Sequence, residues 1–332
     1  METWQAAIRF LVFCAVSIAL PLQLNAASAP HKVVFTFGGL SERSGVLFVA
    51  KDLGIFQKHG LDAQLVNVRS GPVGMSALAS GESHFHAGSA TGASLGAMAG
   101  GLDLVFIAGL INKLDGAFVV NPSIKTITDL KGKTVGVQSM GGGIWMFTML
   151  AFEHWGLNPE RDGIRFRIIS DQAVIAQAIA SGTLDGSYLG YTFAAALERQ
   201  GFRTLADLAK LGIPYQGLGI MARRSLVDRS PEVAEKALRA MVESIAFINK
   251  PDNKSAVMRS LAKGLRLPKV EDAAAGYEMM KILYDRRIFP NVDGLRTVIN
   301  LLGKTNEQIR RLKVEDIIDN RVVKKLEKEG LF

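Results

Sequence analysis

Residues 45–88 read GVLFVAKDLGIFQKHGLDAQLVNVRSGPVGMSALASGESHFHAG. In 44–58, Leu47, Val49, Ala50, Leu53 and Phe56 recur at helical spacing, and Gly60 ends the segment. In 62–68, Ala63, Leu65-Val66 and Val68 alternate as a strand does. Ser70-Gly71-Pro72 opens a second helix that Gly81 ends, and His84-Phe85-His86-Ala87 is the next strand. Helix, strand, helix, strand in short units with small-residue loops is the opening of an open α/β sheet. Ligands of such sheets sit at the carboxyl ends of the strands.

The same grammar extends in both directions. Val33 to Phe37 is a β-rich run ended by Gly38-Gly39, and 104–108 and 117–120 are two further strands. A second set follows, with strands at 134–138, 165–169 and 184–189 and helices at 144–155, 173–180 and 192–200. After Ser230 the strands stop. Ser230 suits an N-cap, Pro231 the first helical position and Glu232 the positive helix end, and the rest of the chain reads as helices. The expected class is α/β, with two βα lobes and a helical C-terminal tail packed on the first. Lobe 1 takes 31–120 and 221–332 and lobe 2 takes 121–220, so the chain crosses twice, near Asn121 and near Ile220, and two crossings make a hinge.

The chain has 332 residues, 48% of them hydrophobic, enough for a large core. Residues 1–27 read as a secretory signal peptide: Arg9, a short apolar run from Phe10 to Leu22, then small residues around Ala26-Ala27. The run is short for a membrane span, and a periplasmic address is expected. The single cysteine, Cys14, lies inside that run, where Phe13 before it argues against lipidation, so the exported chain would carry none. Disulfides, cysteine-ligated metals and a catalytic thiol are thereby excluded from it. The net charge of +8 is dispersed, without the basic stripe of a nucleic-acid face, and no nucleic-acid partner is expected.

Three glycine-bearing loops follow strands and precede helices: Gly38-Gly39-Leu40-Ser41, Gly88-Ser89-Ala90-Thr91 and Ser139-Met140-Gly141-Gly142-Gly143. A helix N-terminus offers free N–H groups to an anion, and glycine lets the ligand approach the backbone. None matches a nucleotide-binding loop. Gly88, Gly92, Gly96 and Gly100 share one helix face, which suits close packing on a sheet. His84 and His86 alternate in a strand without a third metal ligand in sight, and are read as strand packing. Phe37, Trp145, Tyr188 and Tyr191 lie in or beside loops, where they can line a pocket or fill the core. No catalytic residue, metal or cofactor is expected.

Several phrases carry a resemblance. They are Val49-Ala50-Lys51-Asp52-Leu53-Gly54-Ile55-Phe56 with Gly60-Leu61-Asp62, then Leu78-Ala79-Ser80-Gly81-Glu82, and then 129–137, DLKGKTVGV. Gly156-Leu157-Asn158-Pro159 and Gly182-Thr183-Leu184-Asp185-Gly186 follow in order. Across most of 33–225 the chain resembles the taurine/nitrate/sulfonate type of ABC-transporter solute-binding protein. The resemblance implies a type II periplasmic-binding-protein fold that closes on a small, often anionic ligand and delivers it to a membrane permease. Such a protein is expected to be a monomer and not an enzyme. Family binding loops fall here on Gly38, Gly39, Leu40, Ser41, Gly88, Ser89, Ser139, Met140, Gly141, and on Tyr188, Gly190, Tyr191 and Thr192. Arg69 joins this set, and Arg43 is a further basic candidate. His84 replaces an aspartate that the family carries in its third strand. Sulfonate, nitrate, an aromatic carboxylate and a neutral heterocycle all stay open as ligands. Relatives that synthesise a pyrimidine precursor of thiamine use a cysteine-rich motif that this chain lacks. A ligand-presenting partner of a membrane sensor is the other alternative.

Overall fold

The computed structural model describes residues 29–68, 71–169 and 171–332. The expected signal peptide with Cys14, and the candidate Arg69, lie outside the described residues. Ten strands form two sheets of five. In the first, β1 (His31–Gly38) runs parallel to β2 (Leu61–Val68) and β3 (Phe85–Gly88), and β4 (Leu104–Lys113) lies at the edge. Between β3 and β4 sits β10 (Pro214–Arg223), antiparallel to both. In the second, β6 (Thr134–Val137) runs parallel to β7 (Arg165–Ile168) and β8 (Gly186–Leu189). There β5 (Ala117–Val120) lies antiparallel between β8 and β9 (Arg203–Asp207).

Each sheet thus takes its one antiparallel strand from a segment where the chain crosses over. This moves the crossings from where the sequence reading put them. Ala117–Val120 was assigned above to the first lobe but hydrogen-bonds into the second sheet, and Pro214–Arg223 hydrogen-bonds into the first. The crossings fall at 114–116 and 208–213, a few residues before Asn121 and Ile220.

The strand sequences follow their environment. Helices cover both faces of the first sheet, so β4 buries eight residues in a row, Leu104 to Ile111, with no polar alternation. In β1, Phe35 stacks on Phe85 at 4.8 Å and meets Phe56 at 5.1 Å, which fixes the register of the sheet against the helix behind it. The segment expected as one helix over 44–58 is two, Gly45–Asp52 and Ile55–Lys58, because Gly54 adopts a left-handed conformation (φ 71°). The helices Pro231–Ile248, Lys254–Leu265 and Ala274–Leu283 pack on one face of the first sheet. Gly264 lies so close to Phe48 that a Cβ there would come within 2.2 Å of its ring. Pro231 opens its helix as expected, but Ser230 makes no side-chain cap bond and serves only as the turn into it.

Candidate ligand-binding site

The carboxyl ends of β1, β3 and β6 converge from the two sheets on a cavity of about 90 Å³. Three helices begin at it: Gly71–Ser80, Gly92–Ala99 and Gly143–His154. The second is already satisfied, since Thr91 and Ser94 cap each other's backbone N–H groups. The third is not. Its N-cap is Gly142, which has no side chain to accept from the first turn, so those N–H groups are open to an anion from outside.

One cation stands at the cavity wall. The Arg43 guanidinium is buried, lies 4.7 Å from the Phe147 ring centre, and donates to the Asp115 carboxylate and the Gly217 carbonyl. Burial works against the guanidinium, but Asp115 together with Tyr188 and Tyr215 more than offsets it, and Arg43 is held above its ordinary range. Burial in turn pushes the Asp115 carboxyl upward, against the pull of Arg43. The wall is therefore a compensated pair rather than a bare positive charge. The Ser89 hydroxyl shares the Gly217 carbonyl with Arg43, which ties β3 to β10 at the cavity floor.

The lobes touch on both sides of the cavity. At the front, Ala93 N–H donates to the Gly141 carbonyl at 3.4 Å. At the back, Glu42 is wholly buried and its carboxylate accepts from Tyr191 N–H (2.7 Å), the Thr192 hydroxyl (2.8 Å) and Thr192 N–H (3.3 Å). Glu42 thereby occupies the N-terminus of the helix Tyr191–Glu198.

Of the residues singled out from sequence, Gly38, Gly39, Ser41, Gly88, Ser89 and Ser139 line the cavity together. Leu40 packs against the core of the first lobe instead. Met140 points to solvent, 55% exposed, and Gly141 serves the contact with Ala93. The loop after β8 is turned to structural use. Tyr188 is fully buried against Phe147, with ring centres 4.4 Å apart, and Gly190 N–H donates to the Gln172 side chain at 2.6 Å. Tyr191 and Thr192 hold Glu42, and none of these four residues is on the cavity wall. The reading of that loop missed Glu42 because its partners are 149 and 150 residues away in sequence.

The two histidines part company. His84 Nδ1 accepts from Val34 N–H at 3.2 Å and does not reach the cavity. His84→Ala is expected to cost about 1 kcal/mol, the value of one such bond. Chemical denaturation will show that cost, while ligand affinity measured by calorimetry stays unchanged. His86, read from sequence as strand packing, lines the cavity with 5% exposure. Among the described residues no group of three or more His, Cys, Asp or Glu is placed to hold a metal ion. No helix among them is long and apolar enough to cross a membrane.

The model of the NMT1/THI5-like family matches residues 42–254. The chain belongs to the NMT1/THI5-like family. A protein of Brucella abortus (strain 2308), provisionally named a binding protein, is 25% identical over 241 residues, 71% of this chain and 73% of its own length. The periplasmic aliphatic sulphonate-binding protein SsuA of Escherichia coli superimposes with a TM-score of 0.71 at 21% identity, over 88% of this chain and 92% of its own. The periplasmic nitrate-binding protein NrtA of Synechocystis PCC 6803 gives 0.70 at 14% identity, over 91% and 89%. The two five-stranded sheets, each with one strand returned from a crossing, are thus the periplasmic-binding-protein fold, as the family resemblance implied.

Proposed function

We propose that the protein captures a small organic or inorganic oxyanion between its two lobes and delivers it to the permease of an ABC importer, outside the cytoplasmic membrane. The observation that carries this reading is the uncapped start of the helix Gly143–His154 facing a cavity whose only charged lining residue among those described, Arg43, is already paired. Such a wall suits an anion held by N–H and hydroxyl donors rather than by a countercharge. The kinship with sulphonate- and nitrate-binding proteins points the same way. The lobes would part about the crossings at 114–116 and 208–213, as hinge-closing binding proteins do. The protein would act as a monomer and carry out no chemistry on its ligand.

The test is a panel of sulfonates, nitrate, aromatic carboxylates and pyrimidines, screened by thermal shift and native mass spectrometry. One anion is expected to bind and to stabilise the fold by about 2.7 kcal/mol at a hundredfold excess over its Kd. Preference for a neutral pyrimidine, or turnover of any member of the panel, would overturn the reading.

A further inference from the structure

The His86 imidazole is fixed at the cavity from three sides. A Cβ on Gly74, in the helix Gly71–Ser80, would lie 2.6 Å from His86 Cε1, and one on Gly88 would lie 2.6 Å from Nε2. Both glycines therefore leave room for the ring that any larger residue would take. On the third side Nδ1 lies 2.9 Å from the Thr36 hydroxyl. Nε2, on the side of Gly88 and the cavity, has no hydrogen-bond partner among the described residues.

Thr36 lets this ring carry one proton or two. Its hydroxyl has a single proton and, besides Nδ1, two weaker acceptors in reach at 3.4 Å, the Phe85 carbonyl and the Ser83 hydroxyl. With the ring neutral and protonated at Nε2, Thr36 donates to Nδ1. With the ring charged, Nδ1–H donates to Thr36 and the hydroxyl turns to Phe85 or Ser83. Neither state strands Nδ1 or the Thr36 hydroxyl.

We propose that His86 couples ligand capture to a proton: an anion enters the cavity together with one H⁺, which settles on the imidazole and presents the anion with a charged N–H. One anion and one solvent proton are taken up, and no other bond is made. The proposal rests on the reading of the ligand as an anion. Burial alone pushes His86 down to about 4 in the empty site, so the ring is neutral at neutral pH. A negative charge beside Nε2 reverses that preference.

Among the described residues no fixed charge is placed to do the same work. The helices Gly71–Ser80 and Gly92–Ala99 carry no titratable residue, and β1 carries His31 and Lys32 only at its far end. On β10, Tyr215 is buried and donates to the Ala90 carbonyl. Arg223 donates to the carbonyls of Leu78 and Ser83, next to His84. Arg43 across the cavity is held by Asp115, and Arg69 lies outside the described residues.

The test is calorimetry of the full protein with ethanesulfonate and with nitrate between about pH 5 and about pH 8, in buffers of different ionisation enthalpy. Affinity is expected to rise as pH falls, by up to about tenfold per unit, with up to one proton taken up per anion. His86→Gln, which keeps a polar side chain but cannot take the proton, is expected to bind with neither pH dependence nor proton uptake. Should that variant fail to fold, ¹⁵N-histidine NMR of the wild type reads the same event, as a shift of the His86 ring nitrogens to the charged form on adding the probe. Binding of either probe with flat pH dependence and no proton uptake overturns the proposal alone. So does a pH dependence that survives in His86→Gln. Absence of binding by any anion at any pH overturns both this proposal and the anion reading beneath it.

Discussion

Arg43→Met is expected to destabilise the ligand-free protein by about 3–5 kcal/mol, the usual consequence of removing one partner of a buried ion pair. Asp115 is 1% exposed and Arg43 6%, so the carboxylate left behind is buried without its countercharge. Glu42, also fully buried, adds a like charge that raises Asp115 further. The sign of the pH dependence follows. Without Arg43, the native carboxyl of Asp115 titrates above its unfolded value of 3.8, so the native state binds a proton that the unfolded state has lost. The deficit is therefore absent below that value and grows as pH rises through the native one. Denaturant unfolding at mildly acidic and at mildly alkaline pH will show a larger loss in the alkaline sample. The double variant Arg43→Met with Asp115→Leu is expected to recover much of the loss, because no charge then remains uncompensated. A loss under about 1 kcal/mol for Arg43→Met, or one that does not grow with pH, would show that the pair is not what holds the segment 113–117 to the loop after β1.

Ser139→Trp is expected to weaken ligand binding at least a hundredfold while leaving most of the stability in place. Ser139 lines a cavity of only about 90 Å³, and its hydroxyl stands 2.3 Å from where a Cβ on Gly142 would lie. An indole at this position fills the space in front of the helix Gly143–His154, whose first-turn N–H groups are the proposed seat of the anion. The adjacent Met140 is exposed and Gly141 belongs to a surface contact, so the strain is released outward rather than into the core. Calorimetry with the anion identified from the panel measures the affinity, and thermal unfolding without ligand measures the fold. Unchanged affinity would remove this loop from the site. A collapse of the melting temperature would mean instead that the loop is structural.

How much of this was legible beforehand differs between fold and site. Short-range signals carried the fold. Leu47, Val49 and Phe56 at helical spacing, and Val33, Phe35 and Phe37 at strand spacing, depend only on which face of each element meets the core. The family phrases at 49–56, 78–82 and 129–137 then placed those units in order. What failed locally was β9, for which no strand was expected, and β10. The sequence of β10, PYQGLGIMAR, is buried on both faces and broken by Gly217 and Gly219, so it shows no alternation. Those glycines are needed because β10 shifts register against β4, and a Cβ on either would lie within about 3 Å of a β4 carbonyl oxygen. The strand that returns the chain to its first sheet was therefore the hardest to see.

The sequence by itself determined the α/β class, the two successive βα sets, the helical tail and the strand-end loops that carry Ser41, Ser89 and Ser139. These follow from periodicity and turn chemistry, which act over a few residues. Tertiary structure decided which loops face the cavity. The starts of the helices Tyr191–Glu198 and Gly143–His154 both present open N–H groups, yet Glu42 fills the first, while the N-cap of the second, Gly142, makes no side-chain cap bond. His84 stands just before β3 and His86 within it, with the same chemistry, yet only His86 finds Gly74 and Gly88 beside it and so turns its ring to the cavity. A carboxylate meeting a helix end, or a ring meeting two glycines, depends on residues far apart in the chain. Those distances are set only when the two sheets close on each other.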